Sequence, residues 1–349
     1  MLYLPCIYYL RRYENATVNF LVQWSVSVAN STKHSDVYSI SYWEPESYLV
    51  NTYTPHMVNT ELMKLCAMGV TVVVASGIDG ASGPPYLNQS NKPVPCAYDP
   101  VFPASSPYVT SVGATMGVES GTPEVTCQGD KGGIITSGGG FSTIFPAFPQ
   151  QKSAINQYFE TVSPKPALGY SSSGRGYPDV SLAGVNYAVI IGGDVYSLSG
   201  TGASTPSVAG MITLINAARR AAGRPTVGWL NPALYASNGS FANDITIGNN
   251  LCTSDSYIYG VPRCCIEGFN TTPGWDPVTG FGSVDFNELY SLLVNKVNKL
   301  GKSSRPTASP IYKRPTQTGI RFGATLHLVY LIICYILSDS RRSRVYKRQ

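Results

Sequence analysis

Histidine is almost absent from this chain: three in 349 residues, at His34, His56 and His327. That leaves little room for an imidazole-built metal centre or for a catalytic triad with a histidine base. His34 and His56 fall in polar, solvent-facing stretches, and His327 lies in the tail. Charge is scarce too, at 13% of residues against 43% hydrophobic, which describes a globular protein with a large core and excludes a charged, disordered one. No C-x-x-C pair occurs among the eight cysteines, which argues against a zinc site. Nor is there a convincing secretory leader. Met1 to Leu10 is apolar but short, Arg11-Arg12 follow it instead of preceding it, and no small-residue cleavage site appears.

What charge there is divides unevenly. Residues 1–295 hold 13 Lys/Arg against 19 Asp/Glu, and residues 296–349 hold 12 against one. An acidic body with a basic tail argues against nucleic acid as the body's partner. Five N-x-S/T sequons, at Asn15, Asn30, Asn88, Asn238 and Asn270, point to a secretory route. Cys252, Cys264 and Cys265 share one loop-like stretch and predict a disulfide-stapled loop; Cys66, in an apolar helical pattern, is expected to be buried.

Along the chain, Phe20 to Asn30 and Asn59 to Met68 read as amphipathic helices, the second with Leu62, Leu65 and Cys66 on one face. Val37 to Tyr42 reads as a buried strand. Val70 to Ala75 is an unbroken β-branched run, the mark of a parallel strand covered on both faces. Tyr108 to Gly113 and Tyr187 to Ile191 are further strand candidates, and Thr205 to Ala222 a long apolar helix. Alternating strands and helices imply an α/β domain with a mainly parallel sheet and helices on both faces. Ligands are then expected at the carboxyl ends of the strands. The boundaries predicted are an atypical N-terminal segment over 1–19, one domain over 20–297, a basic linker over 298–321, an apolar stretch over 322–338 that reads as a transmembrane anchor, and a basic tail over 339–349.

The run Ser199-Gly200-Thr201-Gly202-Ala203-Ser204-Thr205-Pro206 opens the long helix. It resembles a subtilisin-type nucleophile turn, usually SGTSAS, in which the second serine attacks. Such a turn sets a hydroxyl where free helix N–H groups face the reacting carbonyl. Here that position is Gly202, which has no side chain. Six further stretches, in order, strengthen the resemblance: VNTELMKLCAMGVTVVVASG (58–77), FPASSPYVTSVGAT (102–115), SGGGFSTIFP (137–146), GRGYPDV (174–180), GWLNPALY (228–235) and PGWDPVTGFG (273–282). Together they make the chain similar, over about residues 20–297, to the sedolisin family of serine-carboxyl peptidases, in particular its tripeptidyl peptidase branch.

The resemblance implies a subtilisin-like fold, here without the family's N-terminal part, and a secretory, lysosomal or extracellular-facing protein, single-pass anchored if 322–338 inserts. Family catalysis uses a serine nucleophile, a Glu general base, an Asp that orients the Glu, and a protonated Asp in the oxyanion hole. This apparatus suits acid conditions, because a carboxylate still accepts the serine proton where histidine would be charged. None of these residues transfers. The nucleophile position is Gly202, and the oxyanion S-G-D reads Ser76-Gly77-Ile78. The Glu-x-x-x-Asp helix lies upstream of the segment matching Phe20. Asp79, one residue beyond Ile78, is expected to point away, and Ser204 to turn from the cleft and pack or cap. Asp179 is expected to be structural.

Two other family features transfer better. One Ca²⁺ is expected between two segments, with the side chains of Asp244 and Asp276 and the carbonyls of Ile245, Thr272 and Gly274 as ligands; Thr272 stands where the family has glycine. Ser137-Gly138-Gly139-Gly140 resembles the family's glycine-rich cleft wall, whose bare backbone can pair with peptides or unfolded polypeptides as an added strand. The sequence therefore points to a sedolisin-like protein that no longer hydrolyses peptides. An active acid tripeptidyl peptidase or endopeptidase with a truncated or altered sequence is the first alternative, and a membrane-anchored, non-enzymatic peptide binder the second.

Overall fold

The computed structural model describes residues 20–83, 95–191, 193–254, 262–295 and 346–347. The segments 1–19, 298–321 and 322–338, nearly all of 339–349, and the sequons at Asn15 and Asn88 lie outside the described residues. Among those described, no helix is long and apolar enough to cross a membrane.

The chain opens with α1 (Phe20–Ala29), β1 (Val37–Ile40), a short β2 (Glu44–Pro45) and one-turn α2 (Glu46–Leu49). Then come α3 (Thr54–Ala67) and β3 (Thr71–Ala75). Pro55 opens α3, where its missing N–H costs nothing, and Val58, Leu62 and Leu65 form the buried face. β4 (Val101–Phe102) pairs with β2, and β5 (Thr110–Met116) and β6 (Val125–Thr126) follow. A ribbon of β7 (Gly140–Pro146) and β8 (Gly174–Tyr177) carries α4 (Lys152–Thr161) between its strands. After β9 (Val180–Ala183) comes a hairpin of β10 (Tyr187–Ile191) and β11 (Asp194–Leu198), then the 21-residue α5 (Thr201–Ala221). The remainder comprises α6 (Asn231–Ala236), β12 (Ala242–Asn243), β13 (Ser283–Val284) and α7 (Phe286–Tyr290).

The main sheet runs β1-β3-β5-β9-β13-β12. The first five strands are parallel, in register as Val37↔Thr71, Val74↔Ser111, Val112↔Val180 and Ser181↔Ser283; β12 and the side strand β6 are antiparallel. All of Thr71–Ala75 is buried, and the alternation of side chains across a strand splits it between two cores. Val73 joins Ile212, Ile215, Phe141 and Trp275 under α5, whereas Val72 and Val74 join Leu62, Leu65 and Phe102 under α1 and α3. Helices on both faces of a mainly parallel sheet match the expected architecture.

Three elements differ from expectation. Val37–Ile40, expected to be buried, is an edge strand of the main sheet and only half-buried, with Ser39 exposed. Tyr187–Ile191 is a strand, but it pairs antiparallel with Asp194–Leu198 and stands outside the main sheet; Gly193, at φ 96°, makes the tight turn that allows it. The long helix begins at Thr201, four residues ahead of the predicted start, with Pro206 inside it. The cysteine-rich stretch is stapled by Cys252–Cys264 and joined to Cys96 through Cys265. Cys66 is half-buried, and burial pushes its thiol up to about 12.

Candidate functional site

The carboxyl ends of β1, β3 and β9 meet the first turn of α5. Gly200 caps the helix at φ 151°, a backbone setting that disfavours a side chain. Its N–H donates to the Gly184 carbonyl at 2.7 Å beyond β9, and the Thr201 hydroxyl donates to the Gly77 carbonyl at 3.0 Å beyond β3. These two bonds fix the helix entrance against the strand ends.

Pro206 has no N–H, so the carbonyl four residues earlier loses its helical donor. That carbonyl belongs to Gly202, and the Ser41 hydroxyl, next after β1, donates to it at 3.0 Å. A Cβ on Gly202 would stand 3.3 Å from the Ser41 Cβ and 3.5 Å from its hydroxyl oxygen. Ser41 thus repairs the helix and narrows the space over Gly202. Ser204 lies on the far side of the turn: it is fully buried and its hydroxyl donates to the carbonyls of Leu182 at 3.1 Å and Ala183 at 3.0 Å. The entrance keeps helix N–H groups able to polarise a carbonyl, with no side chain at position 202 to attack one.

Ile78 packs against Ala114, Cys127, Ile135 and Val185. The Asp79 carboxylate is buried, and its Oδ1 accepts from the N–H of Ser254 at 3.2 Å and from the Ser254 hydroxyl. Burial raises its pKa, against the lowering effect of those two bonds, and its Oδ2 has no partner. His56 is exposed on α3, against the edge of Phe145 at 5.6 Å between ring centres.

Residues Ser137–Gly140 are all buried. The Ser137 N–H donates to the Cys127 carbonyl and that of Gly138 to the Gly77 carbonyl, at 2.9 and 3.0 Å. A Cβ on Gly138 would meet the Ser76 carbonyl oxygen at 2.2 Å, and one on Gly139 the Pro277 carbonyl oxygen at 2.1 Å. Glycine is required here because backbone packs directly on backbone. An incoming strand finds the N–H groups of Ser137 and Gly138 already taken, which narrows the strand-addition expectation for this segment.

The two calcium-motif segments lie side by side. Asp244 Oδ2 accepts from the Gly274 N–H at 2.7 Å. Asp276 is completely buried. Its Oδ1 accepts from the N–H groups of Val278 at 3.0 Å and Thr279 at 2.8 Å, and its Oδ2 from that of Thr272 at 3.1 Å. Burial pushes Asp276 up to about 8 despite these bonds, and it raises Asp244 as well. No Lys, Arg or His forms an ion pair with either carboxylate among the described residues. Two acidic groups drawn into a loop without a cation, one fully buried, fit a hard metal ion.

Tripeptidyl-peptidase 1 of Macaca fascicularis is 37% identical to this chain over 278 residues, covering 78% of the chain and 46% of the relative. The Homo sapiens protein gives the same identity and coverage. Aorsin of Aspergillus oryzae is 39% identical over 282 residues, 74% of this chain and 41% of its own length. A solved structure of Pseudomonas sedolisin, described as a serine-carboxyl proteinase complexed with pseudo-iodotyrostatin, superposes with a TM-score of 0.58 at 22% identity, over 79% of this chain and 69% of that one. No family model matches. The chain belongs to the sedolisin family. It spans under half the length of the curated relatives it matches.

Within this sedolisin fold, three features were not read from the sequence. Ser41 was missed because its role depends on Pro206, in an element 160 residues away; the proline inside SGTGASTP was the available signal. Cys96–Cys265 was missed because nothing local marks Cys96. Glu46 is fully buried and accepts from Thr143 N–H at 2.7 Å and the Ser142 hydroxyl at 2.5 Å; no pattern at Glu44-Pro45-Glu46 signals that. Asp179 accepts from Arg175 at 2.6 Å, Ser111 N–H at 2.7 Å and Tyr235 hydroxyl at 2.8 Å, all buried.

Proposed function

We propose that this chain retains the sedolisin scaffold as a peptide-binding protein and does not hydrolyse peptides. The observation that carries this reading is the absence of a side chain at position 202 of the α5 entrance: Gly202 holds the nucleophile position, and the hydroxyls beside it, on Ser41 and Thr201, are spent as donors to the Gly202 and Gly77 carbonyls. Ile78, in the oxyanion position, has only hydrocarbon to offer a developing charge. The ligands are peptides or unfolded polypeptides, approached across the carboxyl ends of the strands.

The compartment proposed is secretory and acidic. Two disulfides suit an oxidising route, and Asn30 and Asn238 are exposed sequon asparagines. Asp79 and Asp99, both outside the proposed calcium loop, are raised by burial. Each therefore binds its proton more tightly in the folded state, which favours that state as pH falls toward the ordinary carboxylate range.

One Ca²⁺ is proposed between the Asp244 and Asp276 segments, held by both carboxylates and the carbonyls of Ile245, Thr272 and Gly274. Bound there, the ion would supply positive charge to an anionic loop that pairs the exposed Asp244 with the buried Asp276, and tie residues 244–245 to 272–276. The test of the main reading is incubation of the purified protein with a fluorophosphonate probe and with an N-terminally free peptide at acid pH. No adduct within residues 199–206 and no tripeptide release are expected; an adduct there, or steady turnover, overturns the reading.

A further inference from the structure

Thr272 stands where the family resemblance implies glycine, and its side chain is the unexplained part of the loop. The residue is 5% exposed, and its Oγ1 has no hydrogen-bond partner. A buried hydroxyl without a partner commonly marks an ion or water that belongs beside it. The N–H of the same residue touches Asp276 Oδ2 at 3.1 Å, and two residues on, the Gly274 N–H touches Asp244 Oδ2 at 2.7 Å. The orphan oxygen is therefore within one residue's breadth of the buried carboxylate.

Ser111 provides an internal control. It also donates its N–H to a buried carboxylate, at 2.7 Å, and it also has an unpartnered hydroxyl. Its carboxylate, Asp179, is neutralised by Arg175 at 2.6 Å. No such cation serves Asp244 or Asp276 among the described residues. The orphan hydroxyl beside unneutralised carboxylates is thus the one with a missing positive partner.

We infer that the Thr272 hydroxyl is itself a ligand of the cation held between the Asp244 and Asp276 segments. This rests on the calcium reading above and deepens it. A glycine offers only its carbonyl; threonine adds a neutral oxygen, the hard donor type that Ca²⁺ accepts in sites of six to eight oxygens. The substitution then raises ligand number without adding charge.

The test uses the full chain, with Tb³⁺ luminescence as the probe, Ca²⁺ as competitor, and melting temperature with and without a chelator. Thr272→Val is nearly isosteric and removes a polar atom that has no partner in the metal-free protein, so with chelator it should melt no lower than the parent. Its Ca²⁺ affinity should fall about tenfold or more, in the range seen when groups supporting a metal are lost. The Tb³⁺ lifetime in light and heavy water should report about one additional bound water. Thr272→Ser should restore both quantities. Equal Ca²⁺ affinity and equal hydration in the parent and Thr272→Val overturn the ligand role, and the calcium reading then survives if Asp244→Asn still abolishes binding. Absence of any Tb³⁺ or Ca²⁺ effect on the parent overturns the calcium reading and this inference together.

Discussion

At the entrance to α5 the chain keeps backbone and lacks side-chain chemistry; at the Asp244 and Asp276 segments it keeps both. The entrance geometry is held by Gly200, by Thr201 on the Gly77 carbonyl, and by Ser41 on the Gly202 carbonyl. None of these needs an attacking group at position 202. In the paired segments the carboxylates are themselves the framework, because Asp276 takes the N–H groups of Thr272, Val278 and Thr279. A side chain that only reacts can vanish without unfolding the protein. One that also satisfies buried N–H groups cannot vanish as easily. That contrast explains how Gly202 and Asp276 coexist in one fold.

The largest effect that could break the contrast is restored catalysis. Gly202→Ser returns a hydroxyl to the nucleophile position, but its Cβ enters at 3.3 Å from Ser41, and Ile78 still offers no oxyanion donor. Loss of one such donor typically costs about 10²–10³ in rate. The expected outcome is no peptide release above the parent's background. Vigorous acid-pH turnover by this single variant would mean that the entrance is dormant and not dismantled.

Next in size is the framework role of Asp276. Asp276→Ala strands three N–H groups in a loop where the native carboxylate is fully buried. In the presence of chelator, so that no metal contributes, urea unfolding should show a loss of about 3 kcal/mol. A loss under about 1 kcal/mol would place the carboxylate with the dispensable groups, beside the missing nucleophile.

Asp79 sits between these extremes, next to Ile78 yet bonded to Ser254. Its folded pKa is raised by burial, so the folded state binds the proton more tightly than the unfolded one. The stability this gives is fully present below the ordinary Asp value of about 3.9. It is lost as pH rises through the raised folded value. Asp79→Asn mimics the protonated form. It should raise the melting temperature at pH 7, leave it close to the parent at about pH 4, and flatten the profile between. A lower melting point at both pH values would mean that ionised Asp79 is preferred.

How far these regions were legible depended on the distance over which each signal acts. The β-branched run at Val70 to Ala75 declared a buried parallel strand because burial on both faces selects those residues locally. The nucleophile turn, the paired aspartates and the glycine runs were legible as motifs. Their geometry was not. Bare glycine backbone at Ser137–Gly140 suggested access for a peptide, and in the fold the N–H groups of Ser137 and Gly138 serve the Cys127 and Gly77 carbonyls. The apolar pattern of the long helix begins at Thr205, whereas the helix itself begins at Thr201 and carries Pro206 inside it. In the fold, a hydroxyl brought in from the end of β1 makes a proline tolerable one turn deeper. No local propensity contains that partner.

The smallest and sharpest probe of the entrance is therefore Ser41. Ser41→Ala removes the side-chain donor to the Gly202 carbonyl while leaving Gly200 and Thr201 in place. The carbonyl is partly exposed, so water can replace the lost bond in part, and a loss of about 1 kcal/mol is expected. That is a shift of roughly 2–4 °C in melting temperature. If Ser41 serves the backbone alone, the same variant should leave peptide binding unchanged while amide exchange quickens through the first turn of α5. Weaker peptide binding with unchanged exchange would assign the hydroxyl to ligand recognition, and the entrance would then retain one side chain whose chemistry is directed outward.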